Sequence, residues 1–156
     1  MKTLIVYATH HGCTKNAALS LKDRLEGDVE VVDIKKGVPG IDGVSTVIVG
    51  GSIHAGKIQR AIKGFLKKHR KKLTEKRLGL FLCCMYEGEQ AKTQFEQAYP
   101  KELRESAVAT GLFGGEFDFE KMSGLERVIV KKVANVTESV SKVNENAIDE
   151  FAKTIS

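Results

Sequence analysis

The chain has 156 residues, a net charge of +5 and a sequence pI of about 9.1, and 42% of its residues are hydrophobic. This length and apolar content match one domain with one sizeable core, over residues 1–156. No apolar run reaches the roughly 20 residues of a membrane-spanning helix, and the N-terminus lacks the layout of a signal peptide, so we expect a cytoplasmic protein. Its three cysteines do not indicate a disulfide framework, because Cys83 and Cys84 are adjacent.

Five apolar segments rich in β-branched residues predict strands. They are nearly continuous rather than alternating, which is typical of parallel strands buried on both faces. They cover residues 4–8, 29–34, 44–49, 78–83 and 108–113.

Helices are predicted between these strands from apolar residues three and four positions apart. They cover residues 14–26, 57–73 and 144–155, and a capping-box sequence predicts a further helix beginning near Ser123. Residues 35–43 carry glycines and a proline and predict a loop. Alternating strands and helices predict an α/β fold with a doubly wound sheet of about five strands.

The turn after the first predicted strand, residues 9–14, joins that strand to a helix. The first turn of a helix has unpaired N–H groups and a partial positive charge, both of which favour an anion. Thr9 and Thr14 add hydroxyl donors, and Gly12 allows close approach of the backbone. The turn lacks the lysine of nucleoside-triphosphate loops and the three glycines of dinucleotide folds. It therefore favours a phosphate monoester, with an ordinary strand-to-helix turn as the alternative.

Three loops leave the carboxyl edge of the predicted sheet, where ligands bind in such folds. They are residues 9–14, 50–56 and 84–89. The second and third contain glycines for close approach, and His54 and Tyr86 are flat groups that can cover a planar ring. Together the loops predict a composite pocket. The simpler interpretation makes His54 a loop histidine directed into water and Tyr86 a surface aromatic.

Two of these loops resemble those of a known family. Residues 9–14 are similar to the phosphate loop of flavodoxins, and residues 50–56 to their second flavin loop. The resemblance covers nearly the whole chain. It implies a flavodoxin-like three-layer sandwich, with a five-stranded parallel sheet in the order 2-1-3-4-5, helices on both faces, and FMN as the cofactor.

A closer resemblance concerns residues 51–56, the basic helix after them, and residues 114–123. These segments are similar to bacterial flavodoxin-like, menaquinone-dependent protoporphyrinogen IX dehydrogenases. That family implies FMN-dependent oxidation of a porphyrinogen, with electrons passed to a quinone by a protein that is peripheral at the inner membrane face. The mixed charge of the insertion after the fifth strand departs from that family's pattern.

The resemblance also implies three groups of cofactor-binding residues. The residues lining or adjoining the phosphate are Thr9, His10, His11, Gly12, Cys13 and Thr14. The residues bordering the flavin ring belong to the second loop and are Ser52, Ile53, His54, Ala55 and Gly56. Those closing its other side are Cys84, Met85, Tyr86 and Glu87. Because the chain has no tryptophan, ring stacking falls to Tyr86.

Other readings of these residues lead to different chemistry. His10, His11 and Cys13 are soft metal ligands, but three neighbours on one tight turn do not converge easily on a tetrahedral ion, so no metal is expected. Cys83 and Cys84 are interpreted as small residues filling a strand end, with a redox pair as the alternative. No catalytic residues are assigned, which agrees with a cofactor that carries the chemistry.

The leading function is an FMN-binding redox protein with two competing roles. One is a one-electron carrier between protein partners, and the other is an enzyme that oxidises protoporphyrinogen IX with a quinone acceptor. A phospho-receiver domain is set aside, because Thr9, Gly50 and Gly51 stand where it requires acidic residues.

The remaining alternative is a cofactor-free basic module. The basic block at residues 67–72 attracts nucleic acid, anionic lipid or an acidic protein through its field. A solvated helix end is the simpler interpretation, and no nucleic-acid partner is expected.

Overall fold

The structure is a computed structural model that describes residues 2–9, 12–37, 40–54, 57–83, 88–114, 116–117, 140–141 and 144–156. Its main strands are Lys2–Tyr7 (β1), Asp28–Asp33 (β2), Thr46–His54 (β3), Lys57–Ile58 (β4), Arg77–Cys83 (β5) and Ala109–Leu112 (β6). Five of them form a parallel sheet in the order β2-β1-β3-β5-β6. This is the predicted 2-1-3-4-5 order, with β4 added as a short antiparallel neighbour of β3.

Helices cover both faces of this sheet. They are Cys13–Arg24 (α1), Arg60–Lys68 (α2), Arg70–Thr74 (α3), Gly88–Ala98 (α4), Lys101–Ser106 (α5) and Glu145–Ile155 (α6), with one 3-10 turn at Ile34–Lys36. Side chains from α2 to α5 belong to one apolar cluster, and side chains from α1 and α6 belong to another. The predicted three-layer sandwich is therefore confirmed.

The two cores arise because successive strand residues point to opposite faces. In β1, Leu4 and Val6 join the first cluster, whereas Ile5 and Tyr7 join the second. The second cluster contains three phenylalanines from β5, the end of β6, and α6. Phe81 stacks on Phe113 with ring centroids 4.7 Å apart, and Phe151 meets both rings edge-on.

The last helix agrees with its predicted start. Asn144 is the N-cap of α6, and its side chain accepts a hydrogen bond from the Ala147 N–H at 3.0 Å. The Asn144 N–H also donates to the Phe113 carbonyl at 2.8 Å. The chain therefore returns to the end of β6 before α6 begins.

The predicted helix over residues 57–73 is wrong in its start and in its continuity. Lys57 and Ile58 form β4 instead, because they pair with His54 and Ile53 of β3. Helical structure begins only after Gln59, and it is interrupted at His69, whose φ of −109° and ψ of 15° lie outside the α-helical range. The periodic apolar pattern survives, since Ile62, Phe65, Leu66 and Leu73 are all buried.

The predicted second loop, residues 50–56, is also corrected in part. Strand β3 continues through Gly50 and Gly51 to His54, because Ser52 pairs with Cys83 of β5 and Ile53 pairs with Ile58 of β4. The predicted third loop is shorter than expected, since Gly88 and Glu89 begin α4. The 3-10 turn Ile34–Lys36 overlaps the start of the predicted loop at residues 35–43.

Several predictions lie partly outside the described residues. The helix predicted near Ser123 falls there, as does most of the segment 114–123. Two short strands, Glu116–Phe117 (β7) and Val140–Ser141 (β8), pair in antiparallel fashion next to these gaps. Within the described ranges, no helix is long and apolar enough to cross a membrane.

Candidate functional site

The carboxyl ends of β1, β3 and β5 lie side by side at one edge of the sheet. Tyr7 pairs with Gly50, and Gly50 pairs in turn with Phe81. The pairing of β1 with β3 extends one residue further, because the Ala8 N–H donates to the Gly50 carbonyl at 3.1 Å. The turn at residue 9 and the outer part of β3 therefore face the same edge, as the fold class predicts.

The turn between β1 and α1 is shaped by Gly12. This residue has a φ of 95°, in the left-handed region that favours glycine. Its N–H donates to the Thr9 hydroxyl oxygen at 2.9 Å, and its carbonyl accepts from the Asn16 N–H at 2.9 Å. The Gly12 amide is thus used inside the turn. The anion donors that remain are the N–H groups of residues 13–15, which precede the first intrahelical bond.

Thr14 is the distinctive residue of this turn. It is completely buried, and its hydroxyl has no hydrogen-bond partner within the described part of the chain. A buried hydroxyl left without a partner costs about 1–3 kcal/mol, so such groups are rare unless a ligand satisfies them. Neighbouring Cys13 is a buried free thiol in the second apolar cluster.

Gln59 connects two of the three segments at this edge. Its side-chain oxygen accepts from the Ser52 N–H at 3.0 Å. Its side-chain nitrogen donates to the Ser52 hydroxyl at 2.7 Å and to the Ala8 carbonyl at 3.3 Å. The residue before α2 thereby holds the end of β1 against the outer part of β3. The apolar spacing of the sequence places Gln59 inside a continuous helix, so this role was not predictable from it.

The glycines of β3 serve the core rather than ligand access, which corrects the interpretation given to them above. A Cβ on Gly50 would lie 1.9 Å from the Phe81 ring, and a Cβ on Gly51 would lie 2.7 Å from Ile58. Both distances are far below van der Waals contact. The two positions are glycine because side chains from β5 and β4 occupy the space.

A buried tyrosine supports this edge from below. The Tyr99 hydroxyl lies in the first apolar cluster and donates to the Phe81 carbonyl. Burial strongly raises the pKa of Tyr99, with a further contribution from Cys83, so the phenol stays neutral. Cys83 is itself buried in the second cluster, as expected for a small residue that fills a strand end.

The structure brings together the part of the predicted site that it describes. Thr9, Gly12, Cys13 and Thr14 form the first turn, and Ser52, Ile53 and the backbone of His54 form the outer end of β3. The predicted residues outside the described ranges are His10, His11, Ala55, Gly56, Cys84, Met85, Tyr86 and Glu87. Among the described residues, no three histidine, cysteine or acidic side chains are grouped as metal ligands.

The donor set at the first turn fits a phosphate ester. The N–H groups of residues 13–15, which precede the first intrahelical bond, and the Thr14 hydroxyl, which has no partner among the described residues, are donors suited to an anionic oxygen. With these donors, the turn can bind a phosphate without a lysine side chain.

Comparisons with known proteins agree with this architecture. Oxidised flavodoxin 1 of Bacillus cereus is similar with a TM-score of 0.61 and 17% identity, over 99% of this chain and 97% of that one. A Fusobacterium nucleatum flavodoxin variant bound to flavin mononucleotide has a TM-score of 0.54 and 14% identity, over 99% and 94%. No curated protein sequence matches significantly.

A larger protein also contains this fold. Rubredoxin oxygen:oxidoreductase of the anaerobe Desulfovibrio gigas is similar with a TM-score of 0.59 and 16% identity, over 99% of this chain but 35% of that one. At these identities the solved structures show the fold alone. The model of the flavodoxin domain matches residues 4–144, which is most of the sequence. The chain therefore belongs to the flavodoxin domain family.

Proposed function

We propose that this protein binds FMN at the carboxyl edge of its sheet and transfers electrons through it. The observation that carries the proposal is Thr14 at the first turn of α1, whose buried hydroxyl has no partner among the described residues. A phosphate oxygen supplies the missing acceptor there. Family membership supports the same cofactor, since a structural neighbour binds flavin mononucleotide.

The residues of the chain would act by binding and orienting. Thr14 and the N–H groups of residues 13–15 would hold the phosphate, while Thr9 keeps Gly12 in place. Ser52, Ile53 and His54 would border the ring, and Gln59 holds their strand against β1. Bound FMN supplies one- and two-electron chemistry, so the protein needs no nucleophile of its own.

The experiment that tests this proposal compares FMN with riboflavin, which has the same ring and no phosphate. Apoprotein is titrated with each, and quenching of flavin fluorescence reports binding. We expect FMN to bind at least about a hundredfold more tightly, because a charged phosphate gains several hydrogen bonds at the turn. Equal affinities, or no uptake of either, would overturn the proposal. If neither FMN nor riboflavin binds, a cofactor-free basic module becomes the better-supported hypothesis.

We propose that the protein exchanges electrons with other proteins, as a one-electron carrier does. A second candidate is oxidation of protoporphyrinogen IX with a quinone acceptor. It is favoured by the resemblance of residues 51–56 and by the basic helix α2 that follows them. In that case the protein would contact the membrane surface where the quinone lies.

One experiment separates these two roles. FMN-loaded protein is mixed anaerobically with protoporphyrinogen IX and a quinone, and porphyrin formation is followed by its absorbance. Turnover selects the enzyme. Absence of turnover, together with rapid electron exchange with a ferredoxin or a flavodoxin reductase, selects the carrier.

A further inference from the structure

Helices α2 and α3 present a strongly basic surface. Between Asp42 and Glu75 the sequence contains no acidic residue. The same stretch contains eight lysines and arginines, which are Lys57, Arg60, Lys63, Lys67, Lys68, Arg70, Lys71 and Lys72, and all eight are exposed. We call the exposed side chains of Arg60, Lys63, Lys67, Lys68 and Lys71 the basic face.

The charge of the basic face is not neutralised within the described part of the chain. Arg70 pairs with Glu102 and Lys72 pairs with Asp42 at 2.8 Å, which accounts for two of the eight cations. The residues of the basic face form no ion pair with any described residue. Neighbouring like charges repel one another, so an anionic partner would stabilise this surface.

The basic face begins beside the candidate site. Helix α2 starts at Arg60, directly after Gln59, whose side chain is bonded to Ser52 and Ala8 at the sheet edge. Lys63 and Lys67 follow at one-turn spacing along the exposed side of the helix. A partner seated on this surface therefore lies next to the edge where the proposed function places FMN.

A cavity of about 380 Å³ adjoins the same surface. Its basic lining residues are Lys63, Lys67, Arg70 and Lys101, and Tyr99 and Pro100 contribute to its wall. Glu96, an acidic residue, also lines it. A set of cations with an interspersed carboxylate complements the mixed surface of a protein, whereas a uniform polyanion gains nothing from Glu96.

Membrane insertion fits this surface less well. The apolar side of α2, formed by Ile62, Phe65 and Leu66, is buried against the sheet. In the described ranges the exposed large hydrophobic residues are Leu19 and Val108, and neither lies on α2 or α3. A helix that binds in a membrane interface needs an exposed apolar side, which is missing here.

We propose that the basic face docks an electron-transfer protein through an acidic patch surrounding that protein's redox centre. This inference rests on the proposed function, because it names the class of partner for the FMN site. In each encounter one electron passes from the reduced partner to the bound flavin, so the partner is oxidised and the flavin is reduced by one electron. Attraction between opposite charges raises the rate of encounter and orients the two proteins.

The test uses a two-iron ferredoxin of net negative charge as the probe and compares two double variants. Lys63→Gln/Lys67→Gln changes the basic face. Lys22→Gln/Lys92→Gln removes the same charge from exposed lysines on α1 and α4 that have no ion pair within the described residues. Binding of labelled ferredoxin is measured by fluorescence anisotropy with and without FMN, at about 20 mM and about 500 mM salt.

We expect the basic-face variant to bind ferredoxin about threefold to tenfold more weakly at low salt, with little difference at high salt. The rate of flavin reduction by ferredoxin should fall by a similar factor. The control variant should change both much less. Equal losses in the two variants would overturn the proposal, because only net charge would then matter.

Measurements with lipid vesicles, duplex DNA and apoprotein distinguish docking of ferredoxin from binding of a lipid or a nucleic acid. Binding of vesicles containing phosphatidylserine, or of duplex DNA, through Lys63 and Lys67 without ferredoxin binding would overturn the proposal in favour of a lipid or a nucleic acid. If ferredoxin binds the apoprotein through these lysines but FMN is not taken up, docking stands and the proposed function fails. If FMN is bound but ferredoxin binding does not depend on the basic face, the proposed function stands and docking fails.

Discussion

Gly12 and Thr14 are the two residues of the first turn whose local geometry is unusual. Gly12 adopts a left-handed conformation that other residues rarely adopt, and its own N–H is used by Thr9. Thr14 is buried, and none of the described residues pairs with its hydroxyl, which is unfavourable in the apoprotein. Under the proposed function, a bound phosphate would offset this cost.

Replacing Thr14 tests its expected opposite effects on apoprotein stability and FMN affinity. Thr14→Val keeps the branched shape and removes the unsatisfied hydroxyl, so we expect the apoprotein to keep its stability or to gain up to about 1 kcal/mol. FMN affinity should fall about tenfold, because one hydrogen bond to a charged acceptor is lost. Urea unfolding and flavin titration measure the two effects. The Thr14→Ser control should retain FMN affinity, and unchanged affinity in Thr14→Val would contradict the assigned role.

Two glycines differ in the space around them, and alanine substitutions distinguish them. Gly50→Ala places a Cβ 1.9 Å from the buried Phe81 ring, so we expect a loss of about 1–3 kcal/mol in unfolding free energy, or more. Gly64→Ala lies in α2 with nothing within 4 Å, so we expect a gain of about 0.5–1 kcal/mol. Chemical denaturation of both variants checks the opposite signs. A stable Gly50→Ala variant would show that the ring is free to move aside.

At the scale of elements, the β3–β4 hairpin and the start of α2 position the site. The antiparallel pairing of Ile53 with Ile58 turns the chain back, and Gln59 then reaches across to β1. Further along the chain, His69 lies between α2 and α3, and its ring centroid is 4.8 Å from that of Phe65.

Gln59→Ala removes the link between β1 and β3. We expect a loss of about 1–2 kcal/mol in unfolding free energy, since three hydrogen bonds disappear and their partner atoms belong to half-buried Ser52 and buried Ala8. FMN affinity should fall as well, because the two strand ends are no longer held together. Gln97→Ala, at an exposed position of α4, should stay within about 0.5 kcal/mol of the parent. Normal affinity in Gln59→Ala would show that the strand ends are fixed by other contacts.

His69 should make stability depend on pH. Burial lowers the pKa of His69 below its ordinary value of 6.5, nearby Lys68 and Lys72 lower it further, and Asp42 opposes them. Below pH 6.5 the unfolded chain therefore binds the proton first, so stability is full above that pH and declines as the pH falls towards the folded pKa. We expect His69→Gln to show a shallower decline between about pH 7.5 and about pH 5. Parallel pH profiles for the two proteins would refute this.

At the scale of the whole molecule, the net charge of +5 distinguishes this chain from acidic flavodoxins. A positive field stabilises an anionic reduced flavin, so we expect a higher midpoint potential than that of a flavodoxin with net negative charge. The potential should fall as salt screens the field. Spectroelectrochemistry at low and high ionic strength measures this shift, with an acidic flavodoxin as the control, whose potential should move the opposite way. A potential as low as that of the acidic control would contradict the prediction.

Much of the architecture was predictable from the sequence. Continuous β-branched segments indicated strands buried on both faces, and the apolar spacing in residues 144–155 located α6. Helices α4 and α5 were not assigned, because α4 buries only the small residues Ala91 and Ala98 and the pattern is weak. At the site, the sequence singled out Thr9, Gly12 and Thr14 before their arrangement was known.

Local periodicity and composition were sufficient to infer the fold class, the sheet edge of the candidate site and the excess of positive charge. Three properties became visible only in three dimensions: Gly50 makes room for Phe81, Gln59 joins two strands, and the buried Thr14 hydroxyl has no partner in the described part of the chain. These properties depend on which atoms meet across the sheet. Residues far apart in the chain supply those atoms, and no local pattern records their meeting.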